Sequence, residues 1–190
     1  MADPDFDVLP INDDYRIRMA LPGDRDQIRD IARSHPVTRG ISDGAMEVIA
    51  GRIRSGEMRC LVAERISTGT VLGFMLIAWT PPIPIIDLML HRRSPQLEVW
   101  QDGEPVLDAD GDPTLTNRGA AVYGWLQRAG HIYADRNGVT RGEFSCPRKL
   151  WDRLRTLWPV PLFGMKVSTV AGYPVDLGNG WVRVRVRFRE

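Results

Sequence analysis

The sequence predicts an α/β (α+β) domain, in which a mixed, mostly antiparallel central sheet is flanked by helices. Three observations carry this. RCLVAER at 59–65 and VLGFMLIAW at 71–79 stand either side of the turn residues Ser67 to Thr70 and read as an antiparallel hairpin with a buried second member. Val122, Trp125, Leu126, Ala129, Ile132 and Tyr133 recur at i, i+3, i+4 and i+7 and predict a long amphipathic helix. WVRVRVRFR at 181–189 alternates strictly and predicts a strand with one buried face.

The remaining elements follow in order. Residues 1–14 carry Asp3, Asp5, Asp7, Asp13 and Asp14 with no period, and are expected to be a flexible acidic tail. YRIRMA at 15–20 alternates as a first strand, which Pro22-Gly23 ends. Asp24 followed by Gln27 resembles a capping box for a helix whose apolar face is Ile28, Ile31, Ala32 and His35. A second helix over 43–55 uses Met46, Ile49, Ala50 and Ile53, and after the prolines at 81–84 a strand is expected from Ile85 to Leu90. Residues 92–114 are polar, and Asp102-Gly103 between short apolar runs suggests a small hairpin insertion. The long helix spans 117–136 and stops at Asn137-Gly138. A strand at 139–145, a helix opened by Pro147 with Leu150, Trp151, Leu154, Leu157 and Trp158 on its face, and a strand within 162–170 precede the final strand. Residues 15–190 read as one domain, with 92–114 inserted into it.

Composition narrows the function classes. The chain has 190 residues, a formal net charge of +1 and two cysteines. Near-neutral charge gives no global pull toward nucleic acid. No apolar run approaches the ~20 residues of a membrane span, and the start has no basic leader, so a soluble cytoplasmic protein is expected. Cys60 and Cys146 make a poor disulfide framework for this length and are expected to be reduced and buried. His35, His91 and His131 stand too far apart for zinc spacing, so no metal site is expected.

One junction invites chemistry. Thr116-Asn117-Arg118-Gly119-Ala120-Ala121 runs from a polar turn straight into the long helix. A helix start leaves backbone amides without partners and carries the positive dipole end, and small residues let a phosphate group approach them. The same residues also fit a plain capped helix start, with Thr116 or Asn117 as the cap, Gly119 incidental and the small residues packing closely.

This turn, together with the element order around it, resembles the GNAT superfamily of acyl-CoA-dependent N-acyltransferases. The family opens its central helix with Gln/Arg-x-x-Gly-x-Gly/Ala; here Gly119 and Ala121 match, Arg118 stands where an arginine is frequent, and Thr116 replaces the Gln or Arg. The exit at Asn137-Gly138-Val139-Thr140 is also similar. The resemblance implies the GNAT fold over 15–190, and acetyl-CoA as co-substrate held by Thr116, Asn117, Arg118, Gly119, Ala120 and Ala121. It also implies transfer of the acetyl group to an amine by direct attack. The tyrosine acid common in the family has no counterpart: Leu154 falls near its position, and no tyrosine lies between 134 and 172. Water can protonate a departing thiolate in its place. The resemblance equally admits a non-catalytic GNAT-like structural or binding protein, such as a phage virion component, or a nucleobase-modifying GNAT-like enzyme.

An amine must lose a proton before it attacks, which calls for a base near the centre of the sheet. Asp87 lies in an apolar run that would raise its pKa, and Glu143 on the strand after the long helix is the second candidate; Glu64 is a rival. A solvated or salt-bridged carboxylate is the plainer account of each. His91 is placed at a strand end on the surface, Cys146 as a buried thiol, and Tyr123 and Tyr133 as packing residues. Arg183, Arg185, Arg187 and Arg189 form the polar face of the last strand, either a solvated, edge-protecting face or a ribbon for nucleic acid, which the acidic tail can neutralise in cis. Oligomers are compatible with everything above.

Overall fold

Residues 9–35, 38–78, 85–109, 113–161, 167–178 and 180–189 are described by a computed structural model. In chain order its strands begin with β1 (Leu9–Pro10), β2 (Tyr15–Met19), β3 (Met58–Arg65), β4 (Thr70–Ala78) and β5 (Ile85–His91). The insertion contributes β6 (Trp100–Gln101) and β7 (Glu104–Pro105). The C-terminal part contributes β8 (Arg141–Pro147), β9 (Val160–Pro161), β10 (Val167–Val170), β11 (Val175–Gly178) and β12 (Trp181–Arg189). The helices are α1 (Arg25–Ser34), α2 (Asp43–Ser55), α3 (Asn117–Arg136) and α4 (Arg148–Leu154), the last running into a 3-10 turn over Arg155–Leu157.

The main sheet has the order β1-β2-β3-β4-β5-β8-β12-β10-β9, with β11 on the far end of β12. Every neighbouring pair is antiparallel except β5 and β8, which are parallel. In β3 both faces are buried. Leu61 and Ala63 join Ile17, Met75 and Ile77 under α3, where Val122, Leu126, Ala129, Ile132 and Tyr133 pack on them. Cys60 and Val62 join Val71, Phe74 and Leu76 under Ile31 and Ala32 of α1. The α3 core continues across β8 and β12 through Phe144, Cys146, Val182, Val184 and Phe188. Each fully buried aliphatic or aromatic side chain there contributes roughly 1.5–3 kcal/mol. The opposite face of β12 stays open: Arg183, Arg185, Arg187 and Arg189 are exposed there.

Local signals set the helix ends. The Ser42 hydroxyl accepts from the Ala45 amide to start α2, and Gly56 ends it at φ 81°. Thr116 starts α3, and Gly138 at φ 73° lets the Val139 amide reach back to the Ala134 carbonyl. The Asp102-Gly103 turn joins β6 and β7 with both residues at positive φ, 51° and 85°. Cys60 and Cys146 are free and buried, and burial pushes each thiol up to about 12.

Three expectations change. The tail does not extend to residue 14: Leu9 and Pro10 pair with Ile17 and Arg16, Ile11 packs on the α3 core, and the Asn12 side chain accepts from the amides of Asp14 and Tyr15. Residues 1–8 lie outside the described residues. Asp24 and Gln27 form no capping box. The Asp24 carboxylate accepts from the Leu21 amide and both Arg18 Nη atoms, while Gln27 reaches Gly69 and Val71 on the hairpin turn. Finally, β12 is an interior strand between β8 and β10, so its arginines protect no edge.

Candidate functional site

β5 and β8 pair at only two positions, Ile85↔Glu143 and Ile86↔Phe144. One residue later the pairing of β5 with β4 slips. Ile77 faces Ile86 and Leu76 faces Leu88, which leaves Asp87 as the extra residue of a β-bulge. A bulge bends its strand. Beyond it no ladder joins Asp87–His91 to Ser145–Pro147, so a gap opens inside the sheet between two parallel strands. Backbone polar groups on facing strand edges need partners, which makes the gap a slot for an extended polar chain.

The start of α3 follows the insertion that leaves the open end of β5. Thr116 caps it, accepting from the Gly119 amide at 3.2 Å and donating to the Gln96 carbonyl at 2.9 Å. The Thr116 amide donates to the Leu97 carbonyl at 3.0 Å. A Cβ on Gly119 would lie 2.0 Å from that same Leu97 oxygen. Gly119 is therefore required by the approach of the chain's own backbone. Asn117, Arg118 and Ala120 are exposed and Ala121 is half-buried, and the first-turn amides of Asn117 and Arg118 have no partner within the helix.

A buried polar cluster lies at the end of β5. His91 pairs with Gly73 and is only 1% exposed. Its Nε2 is 3.0 Å from Glu98 Oε1 and its Nδ1 3.1 Å from the Tyr123 hydroxyl. Arg93 Nε stands 3.1 Å from the second Glu98 oxygen, and the His35 ring meets His91 edge-on at 5.7 Å. A carboxylate only accepts, so His91 Nε2 is the donor to Glu98, while the Tyr123 hydroxyl can serve Nδ1 as donor or acceptor. The result is a continuous hydroxyl–imidazole–carboxylate path able to relay a proton. His91 is thus not a surface residue, because Glu98, Arg93 and Tyr123 close over it. Burial, reinforced by His91 and Arg93, lowers His35 to about 4 and keeps it neutral.

The carboxylates singled out in the sequence separate clearly. Asp87 has its backbone at the bulge, and its side chain lies outside the described residues. Glu143 faces the open side of the sheet, where Arg185 Nε donates to it at 2.7 Å and Arg183 stands 4.0 Å away. The structure does not join Glu143 to the His91 cluster. Glu64 is buried under Arg18 and Arg16, and the Arg18 hydrogen bonds hold it down at about 2, with burial opposing and Arg16 assisting. It is an ion-pair carboxylate. Cys146, a neutral buried thiol, is no nucleophile. Tyr133 accepts from Arg59 Nε at 2.9 Å. The side chain of Leu154 lies outside the described residues. In the core behind the gap, His131 lies between Gln127 and Ser168 and burial lowers it to about 3. Among the described residues no group of three His, Cys, Asp or Glu is poised for a metal ion, and no helix is long and apolar enough to cross a membrane.

Sequence reasoning missed Glu98 altogether. It sits in the insertion, seven residues from His91, and no motif marks the pair.

A sheet with one parallel junction that splits at a bulge, with a capped helix start beyond its open end, defines the class: the protein has the fold of the GNAT superfamily. No protein-family model matches the sequence, and no curated protein matches it. Solved structures are similar over nearly the whole chain. An acetyltransferase of the GNAT family from Bacillus anthracis superposes with a TM-score of 0.56 at 10% identity, covering 94% of this chain and 96% of that one. Aminoglycoside 6'-acetyltransferase type Ii gives 0.54 at 13% identity, covering 90% and 94%. PaiA N-acetyltransferase from Thermoplasma acidophilum, in complex with coenzyme A, gives 0.50 at 12% identity, covering 91% and 98%. Identities this low speak for the fold.

Proposed function

We propose that the protein transfers an acetyl group from acetyl-CoA to an amine acceptor. The observation that carries this reading is the split between β5 and β8 at the Asp87 bulge. Facing strand edges there suit an extended arm bearing amides, which pairs with both as a strand would. The start of α3 suits the anionic end of such a molecule through the Asn117 and Arg118 amides, the Arg118 guanidinium and the small residues Ala120 and Ala121. Gly119 contributes indirectly, since the Leu97 carbonyl fills the space beside it. Thr116 contributes by holding the first turn in place.

When bound, the thioester supplies an acyl carbon activated for attack by an amine and a thiolate as leaving group. Asp87 is the candidate base by its place at the bulge, with Glu143 second, its ion pair with Arg185 opposing that role. The Tyr123–His91–Glu98 path, at the open end of the same strand, suits proton removal toward Glu98. Leu154, where the family has a tyrosine, leaves protonation of the thiolate to water.

The test is thermal unfolding of the pure protein with acetyl-CoA. Ligand at about a hundred times its Kd stabilises a fold by about 2.7 kcal/mol, which for a domain of this size raises Tm by about 5–10 °C. Arg118→Glu, at an exposed position, should weaken binding roughly tenfold without lowering the Tm of the free protein. No shift at millimolar acetyl-CoA removes the reading. Stabilisation without thiol release in the presence of a panel of amines would make the protein a coenzyme-binding module instead.

A further inference from the structure

Apart from Glu143, the second candidate base, the residues on the open face of the C-terminal half-sheet take no part in the acetyl transfer proposed above. Along β12, Arg183, Arg185, Arg187 and Arg189 project from alternate positions, about 6.6 Å apart along the strand. Arg141 stands opposite Arg187 on β8. Among the described residues five arginines meet one carboxylate there, Glu143, which Arg185 and Arg183 already engage. Arg141, Arg187 and Arg189 have no acidic partner among the described residues. A groove of about 610 Å³ runs over this face, lined by Arg141, Glu143, Arg185, Arg187, Arg189 and residues 170–172.

The rim of the groove carries a second, independent feature. β10 and β11 lie end to end against β12, with Val170 opposite Val186 and Val175 opposite Arg183. Four residues, 171–174, thus face two on β12, and the chain bulges outward between them. The Ala171 amide anchors the bulge on the Arg185 carbonyl at 2.9 Å, and Gly172 turns it at φ 80°. The next residue, Tyr173, is 96% exposed. A tyrosine so completely in water, presented by a bulge beside a row of cations, gains nothing for the fold.

We propose that this face binds single-stranded nucleic acid, with the arginines along the phosphate backbone and Tyr173 as a stacking platform for an unpaired base. Charge complementarity selects a polyanion, and the exposed ring selects one with free base faces, which a duplex keeps stacked. A second copy of the chain would set arginine against arginine. The binding does not rest on the acetyl transfer proposed for the cleft between β5 and β8, although Glu143 borders both.

The experiment is fluorescence anisotropy of a labelled oligothymidylate of about 15 nucleotides, within the span of known single-strand sites, titrated with the full chain across a salt series. Affinity should fall with salt at a log–log slope of about −0.7 per phosphate neutralised, and the Arg187→Gln/Arg189→Gln double variant should reduce that slope by about 1.4. Tyr173→Ala should weaken binding by roughly fivefold or more at unchanged slope. All three positions are exposed, so circular dichroism and Tm should match the parent protein. A duplex of the same length should bind more weakly. Overturning results are no binding at low salt, a slope untouched by the double variant, or equal affinity for duplex and heparin with Tyr173→Ala neutral; the last would mark a general polyanion surface.

Discussion

Gly119→Ala unfolds the protein at a markedly lower temperature than the parent, with a loss of about 3 kcal/mol or more and a fall in Tm of about 6–12 °C. The added methyl would lie 2.0 Å from the Leu97 carbonyl oxygen, a backbone atom. That peptide cannot retreat. The Leu97 side chain is 1% exposed in the core under α3, its amide donates to the Ser94 carbonyl at 2.9 Å, and its oxygen takes the Thr116 amide. Gly124→Ala is the control, since a Cβ there meets nothing within 4 Å. Removing a helix-interior glycine without a clash should stabilise by about 0.5–1 kcal/mol. The two changes are chemically identical and lie on the same helix, so opposite signs in a thermal melt isolate the contact with Leu97. Equal effects would show that residues 94–98 do not pack on α3 as described. Glu98 follows Leu97 directly, so the same strain reaches the His91 cluster.

Arg18→Met should cost about 3–5 kcal/mol, read as a lower urea midpoint at unchanged m-value. The Arg18 guanidinium is held between two buried carboxylates, with Asp24 oxygens at 2.6 and 2.9 Å and Glu64 oxygens at 2.9 and 3.0 Å. Among the described residues, removing it leaves Asp24 with only the Leu21 amide and Glu64 with only Arg16. Burial on its own pushes Asp24 up; the Arg18 and Leu21 bonds overcome that and hold it below its ordinary range. Arg18→Lys should recover only part of the loss, because an ammonium group cannot address both carboxylates as a planar fork does. The pH dependence has a definite sign. Glu64 falls from 4.5 to about 2 on folding, so its contribution is complete above 4.5 and is lost as the pH drops toward 2. In Arg18→Met that acid-dependent loss should be shallower. An unchanged slope would mean that other carboxylates dominate acid unfolding.

Elements whose signals lie within their own residues were legible in the sequence. The helix bounds 43–55 and 117–136 coincide with α2 and α3 because Ser42, Gly56, Thr116 and Gly138 are caps whose chemistry is local. The strand at 139–145 moves to Arg141–Pro147, since the α3 exit uses Gly138 and Val139 before pairing with β12 begins. β1, β9 and β11 escaped notice because strands this short carry almost no pattern. Alternation in β12 revealed one buried face but not its place within the sheet, which depends on neighbours far away in sequence. The site behaved in the same way. Glycine at 119 was visible, yet the Leu97 carbonyl that demands it comes from 22 residues earlier. Asp24 was visible as a helix-start residue, whereas its partnership with Arg18 and Glu64 needs the β2–β3 ladder. His91 and Glu98 meet across the first turn of an insertion with no repeating pattern.

The junction of β5 with β8 also has a mechanical meaning. On one side lie five strands, β1 to β5, stiffened by α1 and α2; on the other lie β8, β12 and the short strands beside them. Two parallel pairs at Ile85 and Ile86 are all the sheet bonding that joins these plates among the described residues, and the α3 core bridges them from one face only. The sheet is thus two ladders that meet at a short junction. A small rotation of one ladder against the other alters the width of the gap while leaving the pairing within each intact. Phe144 and Val122 lie in the core that spans this junction, so a change in their volume is expected to be felt in both halves of the sheet.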